Sequence, residues 1–365
     1  MSFAQNCNRS ELQLSARPGL MIASLAIACL LLALPSPAQA ERQPRVAVDT
    51  EEIPKTVISA TDGDTKPLPF YKIGADTYFL YGNIAEVDRK NRGFNGNAGF
   101  VVTREGVVVI DSLGTPKLGR RLIATVRQVT KLPIRYLILT HNHPDHSYGA
   151  VAFKKLAGIK IIGHEGTLQY LNSDNFQGSV AFRRSILGAD MKGFKGVVPD
   201  ILVGGTRFDH YTFILGGKTF AIYNTGQHHS FGDLVVHQVE ERNLWISDLA
   251  FNNRATFMGD GHSGEVLEAM DWLRHSFPDI RLMIPGHGSV QTAPFPMVEK
   301  TYNYVKRLRD KMRAAVEAGQ DLQSAVRLSD FADWHDVPLY YENHKKNANF
   351  IYLEMEQESF LGKSL

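Results

Sequence analysis

Four side chains that can bind metal ions fall within six consecutive positions of this chain: His141, His143, Asp145 and His146. The apolar run 134–139 directly precedes them and predicts a strand that ends at this group. Alternate residues of an extended chain point to one side, so His141, His143 and Asp145 can share a face. Pro144 disfavours helical backbone at His143 and suits the first turn of a helix, so His146 lies where strand changes to helix. Nitrogen and oxygen ligands of this kind suit zinc, and their number can serve two adjacent cations.

The composition restricts both the class of protein and the type of ligand. A chain of 365 residues that is 44% apolar can bury a large α/β core in one domain or in two smaller ones. The net charge of +2 and the absence of blocks of like charge argue against a nucleic-acid partner. The two cysteines, Cys7 and Cys29, both lie in the N-terminal segment, so any metal must be held by histidine and carboxylate side chains.

The N-terminus has the pattern of an export signal. Arg9 and Arg17 precede the apolar run 19–34, and residues 35–40 end in an Ala-x-Ala cleavage site. Sixteen apolar residues are fewer than the roughly 20 that a membrane-spanning helix needs, which argues against an uncleaved anchor. We predict a signal peptide over 1–40, cleavage near Ala40, no stable membrane insertion of the mature chain, and a periplasmic or secreted location.

The elements that must position the histidine-rich group can be predicted from the apolar patterns around it. Residues 41–68 are polar and aperiodic and are expected to form an N-terminal arm without chemistry of its own. Strands are predicted at 77–81, 99–103 and 107–111, and a helix at 117–129. Residues 148–156 are expected to form a helix and 159–162 a strand. The weakly periodic stretch 171–205 is predicted to be a lid or binding loop, with a surface insertion as the alternative.

The second half of the chain repeats the theme of a strand that ends on a histidine or an acid. Residues 211–215 and 219–223 flank Gly216-Gly217 as a hairpin. A strand at 243–248, a helix at 264–277 and a strand at 281–284 follow, and the chain is mainly helical from 294 onward. Further candidate ligands just past strand ends are His229, Asp248 and His287. Because loops at one edge of a sheet sandwich can converge, we expect these side chains to meet the histidine-rich group.

Residues 70–290 resemble the metallo-β-lactamase superfamily in five ordered marks. These are Asp111 after an early strand, the His141–His146 group, His229 in His-x-x-Gly-Asp, Asp248 after an apolar strand, and His287 in Pro-Gly-His-Gly. The resemblance implies an αββα four-layer sandwich, an α/β fold, as a catalytic domain over 69–292. Residues 293–365 would then form a helical extension packed on it.

The same resemblance implies the role of each ligand at a dinuclear site with two zinc ions (Zn²⁺) per chain. The first metal would take His141, His143 and His229. The second would take Asp145, His146 and His287, and Asp248 would bridge the two. Two such cations supply hydroxide at neutral pH and polarise the group under attack, while Asp145, the catalytic residue, orients the hydroxide and moves its proton. His228 competes with His229, but only His229 has the His-x-x-Gly-Asp spacing.

Other polar residues near the motifs are given structural roles. Asp111 is expected to orient a ligand rather than to bind metal. His164, His210, His237, His275, His335 and His344 fit no ligand pattern and are expected to be structural or solvated. Four residues follow ligand positions and could reach substrate, although ordinary loop packing is the favoured interpretation: Tyr148, Asn252, Asn253 and His262.

The sequence thus predicts an exported zinc hydrolase that acts on an ester, thioester or amide-like carbonyl of a small molecule. Asp248 stands where β-lactam-hydrolysing branches usually carry Cys or Ser, which weakens the alternative of a class B β-lactamase. A second alternative is a non-hydrolytic metal-binding partner protein. The signal segment, Asp248 and the stretch 342–347 together resemble exported metallohydrolases associated with sulfur oxidation and quinoprotein systems.

Overall fold

The computed structural model describes residues 48–362. The predicted signal peptide and the first residues of the predicted arm lie outside this range. Within it, no helix combines the length and apolar character needed to cross a bilayer. From 48 onward the arm lies on the rest of the chain: Val48 bridges to Val290, and Ile58 and Leu68 are buried in the core.

Seven strands form the first sheet, in chain order across the sheet. The strands are β1 (Tyr71–Lys72), β2 (Thr77–Leu80), β3 (Ala98–Val102), β4 (Val107–Ile110), β5 (Ile134–Ile138), β6 (Lys160–His164) and β7 (Ile201–Val203). β1 to β4 pair antiparallel, whereas β4 to β7 pair parallel. All four residues of β4 are buried, as expected for a strand covered on both faces. The parallel strands β4 and β5 therefore end at the same edge.

Five strands form the second sheet, in the order β12-β11-β10-β9-β8. The strands are β8 (His210–Leu215), β9 (Lys218–Asn224), β10 (Leu234–Gln238), β11 (Asn243–Ser247) and β12 (Leu282–Pro285). Gly216 and Gly217 have φ of 53° and 81°, which the tight turn between β8 and β9 requires and which confirms the predicted hairpin. β11 and β12 are parallel, so Asp248 and His287 both follow carboxyl ends of neighbouring strands.

Some helices cover the outer faces of the two sheets, and others lie in the connections between strands. They are α1 (Pro116–Val129), α2 (Pro144–Ser147), α3 (Ala150–Phe153), α4 (Thr167–Leu171), α5 (Asp174–Leu187), α6 (Ser263–Ser276), α7 (Pro296–Glu317), α8 (Leu322–Arg327) and α9 (Tyr340–Phe360). The predicted helix at 117–129 is confirmed as α1. Thr115 caps it by accepting from the Leu118 N–H at 3.0 Å, and Leu118, Leu122 and Val126 form its buried stripe.

Three apolar clusters define the layers. Phe79 and Ile110 of the first sheet meet Phe220 and Trp245 of the second between the sheets. A second cluster joins the outer face of the first sheet to α1 and α3. The third joins β11 and its neighbours to α6, α7 and α9. This order of helices, sheet, sheet and helices is the α/β sandwich that the sequence predicts.

The stretch 171–205, which is predicted to be a lid or binding loop, contains α5 and a following 3₁₀ turn (Gly188–Met191). Ser173 caps α5 by accepting from the Phe176 N–H at 3.2 Å. The buried residues of α5 are Val180, Arg183 and Leu187, which share one face. Since the middle of this face is an arginine, the apolar periodicity is too weak to identify the helix.

Candidate metal centre

The candidate ligands lie at one edge of the sandwich, where strands from both sheets end. β5 leads to His141, β11 to Asp248 and β12 to His287. His229 lies in the loop between β9 and β10, where the N–H groups of His229 and Ser230 donate to Asp233 at 2.8 and 3.0 Å. The His-x-x-Gly-Asp motif therefore fixes its own loop.

Two groups of side chains offer ligand atoms that lie within 4.8 Å of one another. One contains His141, His143, His229 and Asp248, and the other contains Asp145, His146 and His287. All seven predicted ligands are thus present, and they fall into the two sets that the sequence predicts. His228 joins neither set: it is buried against Thr225 (Nε2 to Oγ1 3.2 Å) and Asp233. The binding of metal by these groups remains a prediction.

Asp248 lies between the two groups. Its Oδ2 is 3.1 Å from His229 Nε2 and 3.3 Å from His287 Nε2, and its Oδ1 is 3.5 Å from His146 Nε2. One carboxylate therefore contacts histidines of both sets, as the predicted bridging role requires.

Each of four histidines has one ring nitrogen held by a neighbour, which leaves the other nitrogen for the centre. His146 Nδ1 donates to Asp111 at 2.9 Å, and His143 Nε2 donates to Asp260 at 2.9 Å. Nδ1 of His287 donates to the Asn95 carbonyl at 2.8 Å, and Nδ1 of His141 hydrogen-bonds the Ser247 hydroxyl at 3.1 Å. Such partners select the tautomer and fix the ring plane of a metal ligand.

Two atoms of the centre fit a cation better than any protein partner. Nε2 of His141 and Oδ1 of Asp248 are buried and have no hydrogen-bond partner among the described residues. Leaving such groups buried and unsatisfied is costly, whereas both are ordinary ligands of zinc. Histidine nitrogens and carboxylate oxygens without thiolates also match the donor set of a dinuclear zinc centre. The residues present therefore fit the predicted metal ions.

The charges at the centre favour a cation. Burial opposes ionisation of Asp248, yet His287 and His146 keep its pKa well below the usual value. Burial lowers the pKa of His141 well below its usual value, which favours the neutral, ligating imidazole. Burial also opposes the charge on His146, but Asp248 and Asp111 raise its pKa to about 9. The surrounding carboxylates thus stabilise positive charge at this position, whether a proton or a metal supplies it.

Two of the residues that hold Asp145 were missed by the sequence analysis. Asn95 Nδ2 donates to Asp145 Oδ2 at 2.8 Å, and Arg183 Nη2 lies 3.7 Å from Asp145 Oδ1. Asn95 belongs to the glycine- and asparagine-rich stretch 93–97, which was a detectable signal for a tight loop. Arg183 gave only the weak signal of a basic residue in an irregular stretch. Asp260, the partner of His143, lies between Gly259 and Gly261 and likewise matches no motif.

Asp111 orients His146, as predicted, and also accepts hydrogen bonds from Thr140 N–H and Oγ1 at 2.8 and 2.9 Å. Its backbone φ of 60°, unusual for a residue other than glycine, lies at the turn that follows β4. Ser247, which precedes Asp248, has a φ of 48°. Such backbone conformations are found at functional sites where the surrounding structure maintains them.

Gly286 leaves room for the bridging carboxylate. A Cβ built at Gly286 would collide with the Asp248 carboxylate and approach His146 Cε1 to 3.0 Å. The first glycine of Pro-Gly-His-Gly is therefore a requirement of close approach to the centre.

A cavity of about 400 Å³ opens onto the centre. Its lining includes Asp145, His229, Asp248 and His287, with Arg183, Arg254 and Lys346 at other points of the wall. The four residues that were considered as possible substrate contacts do not line this cavity: Tyr148, Asn252, Asn253 and His262. Tyr148 hydrogen-bonds Tyr170 instead, at 3.0 Å.

The other residues expected to be structural belong to neither ligand group, although the Asn252 N–H donates to the His287 carbonyl at 3.3 Å. Asn252 bonds Ser289, and Asn253 bonds the Thr50 carbonyl at 3.0 Å. His262 precedes α6 without a capping hydrogen bond from its side chain. Of the six remaining histidines, His164 bonds Asn224 at 2.9 Å and His344 bonds Tyr304 at 3.0 Å.

The protein thus has two stacked sheets between helices, with histidines and aspartates gathered at one edge. This arrangement is typical of metal-dependent proteins with the αββα sandwich fold. The family model of the metallo-beta-lactamase superfamily matches residues 91–287, more than half of the chain, and the chain belongs to this superfamily.

The chain is similar to proteins of different activities. Metallo-beta-lactamase IND-1 of Chryseobacterium indologenes is 23% identical over 197 residues, which are 53% of this chain and 72% of that protein. A metallo-beta-lactamase from Pontibacter korlensis has a TM-score of 0.50 at 19% identity and covers 66% of this chain and 99% of its own. The sec-alkylsulfatase Pisa1 from Pseudomonas sp. has a TM-score of 0.59 at 16% identity and covers 81% of this chain and 50% of its own. At these identities the structural matches show the fold alone.

Proposed function

We propose that this protein is a dinuclear zinc-dependent hydrolase of small-molecule esters, thioesters or amide-like carbonyl compounds. The observation that carries the proposal is the position of Asp248 between two sets of ligand atoms, each set compact enough to hold one ion. Seven candidate ligands exceed what a single tetrahedral zinc site uses. When bound, two such ions lower the pKa of water to about 7 and polarise the group under attack.

The protein residues then have distinct tasks. His141, His143 and His229 would hold one ion, and His146, His287 and Asp145 the other, with Asp248 shared. Asp145 also faces the cavity, where its carboxylate can accept a proton from the attacking water and deliver it to the leaving group. Asn95 and Arg183 orient this carboxylate, and Arg183 together with His146 and His287 keeps it ionised, since its pKa is lowered despite burial.

Hydrolysis of sulfate esters is a second candidate. It is suggested by the sec-alkylsulfatase Pisa1, a protein of the same fold, half of which the match covers. β-Lactam hydrolysis is the third possibility within the same fold, and Asp248 in place of Cys or Ser argues against it. Two-metal sites can act on carbonyl and on other ester centres, so the panel below includes all of them.

The finer assignments are part of the same proposal. Export with cleavage near Ala40 is supported by the Arg9 to Ala40 pattern, and N-terminal sequencing of the periplasmic or secreted form would test it. Membership of a branch associated with sulfur oxidation and quinoprotein systems is supported by Asp248 and the stretch 342–347.

The decisive experiment combines metal analysis with a substrate panel. We expect two zinc ions per mature chain, and one ion or fewer after His287→Ala. The zinc-loaded protein should hydrolyse at least one of a panel of thioesters, lactones, alkyl sulfates, phosphoesters and β-lactams. Zinc content that saturates at one ion and is unchanged by His287→Ala would exclude the dinuclear site. Two bound ions without turnover of any compound would favour the non-hydrolytic metal-binding protein.

A further inference from the structure

Three cationic side chains line the cavity, and they differ in how they are paired. Arg183 lies 3.7 Å from Asp145 and donates to the Gly114 carbonyl at 3.3 Å. Arg254 and Lys346 form no salt bridge with any acid in the described range 48–362. Of the cavity-lining acids outside the ligand sets, Asp260 is engaged by His143 and Asn175, and Glu86 is exposed at the rim.

Arg254 is buried although it has no acidic partner. Only 8% of its surface is exposed. Its guanidinium lies over the ring of Phe251, 5.5 Å from the ring centre, and Phe251 in turn stacks on the predicted ligand His287 at 5.7 Å. The one hydrogen bond of its guanidinium is a long one, 3.4 Å, from Nε to the Ala255 carbonyl. Its remaining donors therefore have no protein acceptor within the described range.

A buried unpaired cation beside a site for two dications is electrostatically unfavourable. An anion that enters the cavity relieves this cost, because it can accept hydrogen bonds from the guanidinium while it displaces water. Guanidinium donors are planar and paired, which matches carboxylate and sulfate oxygens, and the lysine ammonium adds a point charge.

Lys346 belongs to the C-terminal helix α9, and this helix is attached to the loop that carries Arg254. Asn347 Nδ2 donates to the Thr256 carbonyl at 2.9 Å, and its Oδ1 accepts from the Met258 N–H at 2.9 Å. Asn343 Nδ2 donates to the Ala255 carbonyl at 3.2 Å. The two cations therefore lie on one connected wall of the cavity.

We propose that Arg254 and Lys346 form an anion-binding subsite, so that the preferred substrates carry an oxyanionic group. This inference rests on the proposed hydrolase function and specifies its substrate class. The oxyanion is either an appended carboxylate next to a neutral ester or the sulfate of a sulfate ester. Both have the same chemistry at Arg254, and the experiment separates them.

The test compares substrates that differ in one charge. The first pair is a phenyl thioester whose acyl chain ends in a carboxylate and the same thioester ending in a primary amide. The second arm is a secondary alkyl sulfate. Each is assayed with wild-type enzyme, Arg254→Gln, Lys346→Gln and Lys345→Gln, all loaded with zinc. Lys345 is the control, because it is the neighbouring exposed lysine of α9 and does not line the cavity.

We expect Arg254→Gln to lower kcat/KM for an anionic substrate by about 10- to 100-fold and Lys346→Gln by about 3- to 10-fold. The amide-ended thioester should change by less than about twofold, and Lys345→Gln should change nothing. If Arg254→Gln lowers kcat/KM only for the carboxylate-ended thioester, the subsite binds a carboxylate appended to the substrate. If it lowers kcat/KM for the alkyl sulfate, the subsite binds the sulfate group that reacts. Equal losses for charged and neutral substrates, with unchanged unfolding temperature and zinc content, would overturn the subsite.

A binding measurement keeps the proposal testable if none of these compounds is hydrolysed. Phenylacetate and phenylacetamide are titrated by calorimetry into zinc-loaded wild type, Arg254→Gln and Lys346→Gln. The subsite predicts that the carboxylate binds more tightly than the amide and that Arg254→Gln removes the difference. Equal affinities for the two compounds in the wild-type protein would refute it, whatever the outcome for hydrolysis.

Discussion

Two of the segments that contribute to the centre, 140–148 and 248–262, are held in different ways. The first contains hydrogen bonds of its own: the N–H groups of His146 and Ser147 donate to the His143 carbonyl, at 3.1 and 3.0 Å, and the Ser147 hydroxyl donates to the Asn142 and His143 carbonyls. Asp111 also holds this segment from outside, through Thr140 and His146. Up to the start of α6 the second has neither helix nor strand. It is held from outside, by Asn343 and Asn347 of α9 and by an Ala255 N–H bond to the Pro338 carbonyl at 2.8 Å.

This difference separates two kinds of contribution to one site. The first segment supplies four predicted ligands from consecutive turns of its own chain. The second supplies one predicted ligand, Asp248, with Asp260 and Arg254 beside it, and its geometry depends on a helix about ninety residues away, since Thr256 and Asn347 are separated by 91 positions. Substitutions in the first segment should therefore change turnover directly. Substitutions in the second segment or in α9 should act mainly through zinc affinity and stability.

The largest effect is expected from the two central carboxylates, which should fail differently. Asp145→Asn should lower turnover by about 10² to 10⁴-fold even at saturating zinc, because a proton-handling group is lost. Asp248→Asn should mainly weaken zinc retention, so excess zinc should restore part of its rate. Asp279→Asn, at an exposed position, is the control. If excess zinc fully restored the activity of Asp145→Asn while Asp248→Asn stayed inactive with both metals bound, the two roles would have to be assigned the other way round.

A smaller effect is expected at Asp260, which orients His143 from the externally held segment. Asp260→Asn should weaken zinc affinity by about 10- to 100-fold, because the ring of His143 loses its charged partner. Competition with a chelator measures this change. Glu86→Gln is the matched control, since Glu86 also lines the cavity but contacts no ligand histidine. Equal losses of zinc affinity in both variants would show that the effect comes from the net charge of the cavity and not from the contact with His143.

Removing the support from α9 should affect stability more than chemistry. Asn347→Ala leaves the Met258 N–H and the Thr256 carbonyl buried without this partner, which we expect to cost about 1 to 3 kcal/mol of unfolding free energy. Activity should fall only a few-fold, through a less ordered loop. Urea unfolding and steady-state kinetics measure the two, with the exposed Asn303→Ala as control. Unchanged stability would mean that the loop does not depend on α9.

The smallest effect is expected for Tyr148→Phe, beside the histidine-rich segment. The hydroxyl bonds Tyr170 and does not face the cavity, so kcat/KM should stay within about twofold of the wild-type value. Stability should fall by about 1 kcal/mol for one lost hydrogen bond. A tenfold loss of activity with normal stability would instead place Tyr148 in contact with substrate.

The pH dependence of the metal-free protein does not test these predictions, because metal binding displaces protons from the same histidines. The variants are therefore compared at one pH and with measured zinc content.

Local apolar patterns in the sequence predicted most of the strands, and the spacing of histidines and aspartates after them predicted the seven candidate ligands. The sandwich fold was implied by the resemblance of these motifs to the metallo-β-lactamase superfamily. The sequence also favoured His229 over His228 as a ligand, because only His229 has the His-x-x-Gly-Asp spacing. These signals depend on residues close in the chain.

Only the tertiary structure revealed Asn95, Arg183, Asp260 and the unpaired Arg254. Asn95, Arg183 and Asp260 each act across a long stretch of chain, as in the contact of Asp260 with His143, 117 positions apart. Helix α5 escaped prediction for the same reason, since its buried face carries Arg183 toward Asp145 instead of an apolar side chain. A polar residue buried for a remote partner leaves no periodic pattern, because the energy that favours its position comes from a contact that local sequence does not encode.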